Sequence, residues 1–220
     1  MITSLLLLGT LLQSPDTARL TRIELVLDAR TWADVKASTY LPRAYGAGYL
    51  AGPAEVRLCD RLGCLVLLPP DSAAGVLPGD VGFGVKPVAG SALVDRLREA
   101  PAGRVRMTIA EPPEAPAIAP GDSMPTVYFV SAGRFFVPPA AIASLDGWFR
   151  SAGADVVREG EGLVVQFPDQ VIRLVPAYGE SSLAQLTLYL RRDVPGNPTF
   201  RFGLLNRLRF GPGRTATWEF

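Results

Sequence analysis

The sequence predicts an α+β fold of repeated βαβββ-type modules, forming a curved, mostly antiparallel sheet with helices on its outer face. Three observations carry that expectation. Stretches of two-residue alternation recur along the chain, each suited to a strand that buries one face only. Apolar stripes of helical period stand between them. The 22 glycines and 20 prolines punctuate the chain with turns, which favours many short strands.

The N-terminus opens with an 11-residue apolar stretch, Ile2 to Leu12, followed by polar Gln13, Ser14 and Asp16. It is too short to span a bilayer and has the length of a secretory h-region, although no Lys or Arg follows Met1. Residues 1–18 are therefore expected to be a signal-like leader and the protein to be exported; the alternative is a first apolar element of a cytoplasmic fold. Arg22–Asp28 then alternates, with Ile23, Leu25 and Leu27 on one face and Arg22, Glu24 and Val26 on the other. Asp28 is placed to cap a helix over Thr31–Ser38. Gly46, Gly48, Gly52 and Pro53 read as a loop.

Ala54–Cys59 and Cys64–Leu68 read as a hairpin closed by Asp60–Gly63, which sets Cys59 opposite Cys64. The pair is either a cross-strand disulfide, which export favours, or two reduced thiols. Gly79–Lys86 is the next strand, Gly90 begins a second helix with Leu93, Val94 and Leu97 as its stripe, and Arg104–Ala110 returns as a strand. The proline-rich run Glu111–Pro125 is an extended loop. Thr126–Val130 and Arg134–Val137 read as two strands. Pro138 and Pro139 start a third helix carrying Ile142, Leu145 and Phe149. Strands follow at Asp155–Arg158, Leu163–Phe167, Val171–Val175, Ala184–Arg191, Thr199–Phe202, Arg207–Phe210 and Thr215–Phe220. Domain organisation follows the rhythm: residues 19–131 hold paired modules, and 132–220 a third unit with C-terminal antiparallel strands, in the same domain or a second one.

Composition excludes much chemistry. The chain has no histidine, so Ser-His-Asp and Cys-His nucleophile activation and histidine-ligated metals are ruled out. Two cysteines do not make a four-ligand zinc site. No GxxxxGK[ST] or GxGxxG phosphate loop is present. A net charge of +1 gives no bulk field for nucleic acid, and no nucleic-acid partner or stable membrane insertion is expected.

RIELVLDARTWADVKAS (22–38 with its preceding Thr21) and GCLVLLPPDSAAGVLPGDVGFGVK (63–86) resemble the opening strand, helix and following strands of the vicinal-oxygen-chelate, or glyoxalase/bleomycin-resistance, superfamily. The resemblance covers roughly residues 21–110. It implies two βαβββ modules curled into a half-open barrel with a divalent metal on the concave face. Thr21, Arg22 or Glu24 stands where that family usually has histidine, Val66 where a carboxylate is usual, and Gly82 and Phe83 where the second module repeats the histidine; Asp80 is at that strand's mouth. The implication is a member without the usual metal, and no metal or other cofactor is expected.

The polar faces of the strands carry the binding candidates. Of 22 basic residues only Lys36 and Lys86 are lysines, and the planar fork of arginine suits carboxylate or phosphate. The expected function is metal-independent binding of a small anionic ligand in a concave sheet through Arg22, Glu24, Arg57 and Arg173, with no catalytic residue assigned. Ordinary solvated sheet faces with Arg–Glu pairs account for the same pattern. Two alternatives stand beside it: a lyase- or isomerase-type enzyme with Glu24 as general base and Arg57 stabilising negative charge, or a non-catalytic structural or interaction module.

Overall fold

The computed structural model describes residues 17–72, 77–89, 105–112, 126–178 and 182–220. The leader, the second helix and most of the proline-rich run lie outside the described residues. Among these residues the chain forms two mostly antiparallel sheets with few helices, as the alternation predicts.

The first sheet holds β1 (Arg19–Val26), β2 (Tyr49–Ala51), β3 (Val56–Cys59), β4 (Cys64–Leu68), β5 (Val81–Lys86) and β6 (Val105–Ile109), in the order β2-β3-β4-β1-β5-β6. The second holds β7 (Val127–Val137), β8 (Asp155–Glu159), β9 (Gly162–Gln166), β10 (Val171–Pro176), β11 (Ser182–Leu190), β12 (Thr199–Phe202), β13 (Asn206–Gly211) and β14 (Thr215–Glu219), in the order β12-β13-β14-β11-β7-β10-β9-β8. One connection pattern appears in both. The first strand of a module leads into a helix, and the last strand returns parallel to the first: β1 with β4, and β7 with β10. A parallel return needs a crossover, which α1 (Ala29–Ala37) and α2 (Leu41–Tyr45) supply in one case and α3 (Pro139–Ala152) in the other. The opening strands of successive modules then pair antiparallel, β1 with β5 and β7 with β11. The last unit has no helix between β11 and β12, and β14 accordingly comes back antiparallel to β11.

Local chemistry explains the helix ends. The Asp28 carboxylate accepts from Arg30 N–H at 2.9 Å and Thr31 N–H at 3.0 Å, as its position before α1 predicts. Gly153 closes α3 at φ +88°, the left-handed C-terminal position glycine tolerates best. Two expectations need correction. The Gly46–Pro53 stretch is not all loop: its glycines bracket a 3-10 turn (Gly46–Gly48) and the edge strand β2, and α2 precedes them unpredicted. The two strands expected at 126–130 and 134–137 are one strand, β7, with a register shift opposite Thr187 and Leu188 where Ser131 is the extra residue.

The apolar faces of both sheets share one core. Phe83 of β5 meets Phe135 of β7 edge-on, with ring centres 4.9 Å apart, and Phe149 of α3 at 5.9 Å. α3 thus lies between β5 and β8–β10, with Leu145, Trp148, Phe149 and Ala152 buried. α1 docks on the β12–β13 turn, where Asn206 Nδ2 donates to Thr31 Oγ1 at 3.0 Å and Gly203 N–H to the Asp34 carboxylate at 2.7 Å. No helix among the described residues is long and apolar enough to cross a membrane.

A polar link crosses the same interface. Asp60, in the β3–β4 turn, accepts from Leu62 and Gly63 N–H and, 70 residues along the chain, from Val130 N–H of β7 at 3.0 Å. Gln170 Nε2 donates to Val130 carbonyl at 3.0 Å. β10 begins only at Val171, so Val130 has no ladder partner on that side, and these two side chains replace one. The turn that presents Asp60 is tied by the Cys59–Cys64 disulfide, one of the two alternatives the hairpin left open.

Burial raises the Asp60 carboxyl to about 6, against the opposing pull of its three backbone N–H donors and the Arg61 charge. The folded state therefore holds this proton more tightly than the unfolded chain, with its ordinary value of 3.8. The Asp60 contribution is fully present below about pH 4 and is lost as pH rises to about 6. Denaturant midpoints measured from pH 4 to 7 should show that decline in the native protein and not in Asp60→Asn; an equal slope in both assigns it to other groups. Alkylation without reductant followed by mass measurement should label no cysteine, and reduction should lower stability by about 2 kcal/mol for so short a loop.

Candidate functional site

Alternation places charged residues from both sheets on the faces turned away from the shared core. On the first sheet, the register aligns Arg57, Val66, Glu24, Gly82 and Arg106 in one row across β3, β4, β1, β5 and β6. Glu24, 14 % exposed, is held at both oxygens: Arg22 Nε lies 2.6 Å from Oε1 and Arg106 Nη2 3.2 Å from Oε2. Glu55 pairs with Arg57, and Arg22 reaches it at 3.9 Å. The glycines of β5 make this possible. A Cβ at Gly82 would lie 2.8 Å from Glu24 Oε2, and one at Gly84 would lie 2.7 Å from Arg22 Cβ and 3.0 Å from Ala110 Cβ.

Arg22, Glu24 and Arg57 lie together on this face, as a network whose carboxylates are paired with its guanidinium groups. A hard or transition-metal cation needs several convergent donors. Here Val66 and Gly82 flank Glu24 in its row, and arginines take up its oxygens. These residues do not fit the divalent metal that the superfamily resemblance implies. Among the described residues no cluster of three or more His, Cys, Asp or Glu side chains is placed to hold one.

Arg173 is elsewhere, on β10 of the second sheet. Its parallel register partner is Arg134 of β7, and Arg134 in turn faces Gln185 of β11. Together with Ala132, Gly133, Val171 and Thr187 these residues line an open concavity of about 420 Å³. Small side chains floor it: Ala132 stands between Val171 and Thr187 in the row beside the arginines. Among the described residues no carboxylate lines it. Glu159 lies 3.7 Å from Arg173 Nε, and both side chains are exposed. Such a surface presents two guanidinium forks, an amide and a hydroxyl to one occupant, a set suited to carboxylate or phosphate. Arg134 was absent from the sequence inventory. Its signal was available, since it alternates with buried Gly133 and Phe135, but its adjacency to Arg173 depends on a parallel pairing across the α3 crossover.

At one end of the same face Phe129 and Tyr189 are register partners with ring centres 5.4 Å apart. Arg61 and Arg191 lie over the ring of neighbouring Tyr128 at 4.8 and 4.4 Å.

No protein-family model matches this sequence, and no curated protein matches it. Among solved structures, the chain is similar to BphC, a halotolerant catechol dioxygenase, with 15 % identity, 92 % of this chain and 86 % of that one covered, and a TM-score of 0.40. It is also similar to a triple mutant of 4-hydroxymandelate synthase from Streptomyces coelicolor, with 13 % identity, coverage of 81 % and 72 %, and a TM-score of 0.45. At these scores nothing about the site of this chain follows from either.

The network on the first sheet makes a stability prediction. Gly84→Ala forces β1 and β6 side chains apart and should cost about 1–3 kcal/mol in denaturant unfolding, as overpacking does. Glu24→Gln should also destabilise, because it leaves Arg22 and Arg106 facing each other without their shared anion. Unfolding of both variants that matches the native protein would mean the network has no structural weight.

Proposed function

We propose that this chain is a glyoxalase-like protein of the vicinal-oxygen-chelate type that binds a small anionic ligand, without a metal, in the concavity of the second sheet. The observation that carries this reading is the side-by-side placement of Arg134 and Arg173 over an open space of about 420 Å³ with no lining carboxylate among the described residues. Like charges directly opposite on neighbouring strands oppose folding, and an anion between them removes that opposition. Gln185 and Thr187 supply neutral hydrogen-bonding groups beside the forks and orient the remainder of the ligand.

The donor chemistry supports metal independence: the sequence holds no histidine, and the carboxylates nearest the expected ligand positions are engaged by arginine. Glu24 is not proposed as a general base, because its charge is already balanced by the guanidinium groups of Arg22 and Arg106. Binding, not turnover, is the activity assigned. An exported location agrees with the Cys59–Cys64 bond, since disulfides persist in oxidising compartments.

Calorimetric titration with methylphosphonate, sulfate and acetate at low ionic strength tests the site. At least one should bind the native protein, and Arg173→Gln or Arg134→Gln should weaken it about tenfold or more, near 1.4 kcal/mol. Affinity unchanged in both variants, or no binding by any of the three, removes the reading. Arg57→Gln, on the other sheet, should leave it intact.

A further inference from the structure

The row that contains Arg173 and Arg134 does not end at the concavity. Register carries it on through Gln185 of β11, Glu219 of β14 and Arg207 of β13 to Arg201 of β12. Arg201 and Arg207 are direct cross-strand partners, as Arg173 and Arg134 are. One face of one sheet therefore carries two like-charged pairs in a single row, each an arrangement that disfavours strand pairing.

The intervening charge does not resolve them. The ion pair made by Glu219 is with Arg209, at 3.5 Å, not with its register partner Arg207. Among the described residues no carboxylate lies within ion-pair distance of Arg134, Arg201 or Arg207, and Arg207 Nε is buried without a hydrogen-bond partner. Between the pairs the face offers Gln185 and the Glu219 carboxylate in the row, and Thr187 and Thr217, partners of each other, in the next.

Building on the anion site proposed above, we infer that the ligand is a linear bis-anion, with one anionic group on Arg134 and Arg173 and the other on Arg201 and Arg207. Four strand spacings separate the midpoint of the β7–β10 pair from that of the β12–β13 pair, which sets the anionic groups about 19 Å apart. The middle of the ligand crosses Gln185 and Glu219 in the row, beside Thr187 and Thr217, and Glu219 favours an uncharged, hydrogen-bonding middle.

A length series separates this from a single anion site. Alkane-α,ω-bisphosphonates with spans from about 5 to 25 Å are titrated against methylphosphonate at low ionic strength, where charge contacts are least screened. The native protein should bind a bisphosphonate of about 19 Å span at least tenfold tighter than methylphosphonate, with shorter members near the monoanion value, as expected when a second contact becomes intramolecular. The Arg201→Gln, Arg207→Gln double variant should lose that gain and keep methylphosphonate affinity. It should also match or exceed the native melting temperature without ligand, because a repulsive pair is gone. Affinity that ignores span, or a gain that survives the double variant, overturns the bis-anion inference while leaving the single site standing. Absence of all phosphonate binding by the native protein overturns both.

Discussion

The packing of Phe83, Phe135 and Phe149 between the two sheets determines where everything polar can go. Each sheet gives one face to this shared core, so a shift of one residue in any central strand would carry its charges into the apolar layer. Val81, Phe83 and Val85 of β5 point inward, and Gly82 and Gly84 are left beneath the charged side chains of β1. In β7, Phe135 and Val137 are buried and Arg134 is exposed. The register of the core is also the register of the arginines.

The interface adds a polar constraint that hydrophobic packing alone does not supply. The bulge in β7 leaves Val130 beyond the start of β10, where its backbone N–H and C=O are buried and need partners. Asp60 and Gln170 provide them, and the disulfide-tied β3–β4 turn holds Asp60 in reach. A carboxylate in so dry a place carries a desolvation cost, which its raised titration point records. The three backbone donors offset that cost only in part, and the result is a directional contact between sheets that otherwise meet through non-directional apolar surface.

Period and punctuation made most strands legible. RIELVLD and the C-terminal hairpins alternate without interruption, and Asp28 and Pro139 mark their helices by chemistry that acts within one turn. The failures have physical causes. Glycines around Tyr49 suppressed any strand signal, although β2 needs only three residues to pair with β3. Ser131-Ala132-Gly133 reads as a turn because small residues occur both in turns and at bulges. The candidate site was legible by halves. Alternation placed Arg22, Glu24 and Arg57 on an outward face, but Arg173 was grouped with them although it belongs to the other sheet. Asp60 reads locally as a turn acid, since its partner Val130 is 70 residues away.

The two outward faces contrast in how their charge is balanced. On the first sheet Glu24 and Glu55 are interleaved with Arg22, Arg57 and Arg106, and the glycines of β5 let the side chains close over one another. Such a face pairs its own charges, although Arg22 Nε and Arg106 Nε and Nη2 are buried there without a hydrogen-bond partner, as Arg207 Nε is on the second sheet. On the second sheet arginine faces arginine twice along one row, and the carboxylates present, Glu159 and Glu219, serve Arg173 at the rim and Arg209. The same residue type on the same kind of strand thus has opposite consequences. Where acids alternate with arginines the face balances its own charge, and where they do not, Arg134, Arg201 and Arg207 stand without an acidic partner among the described residues.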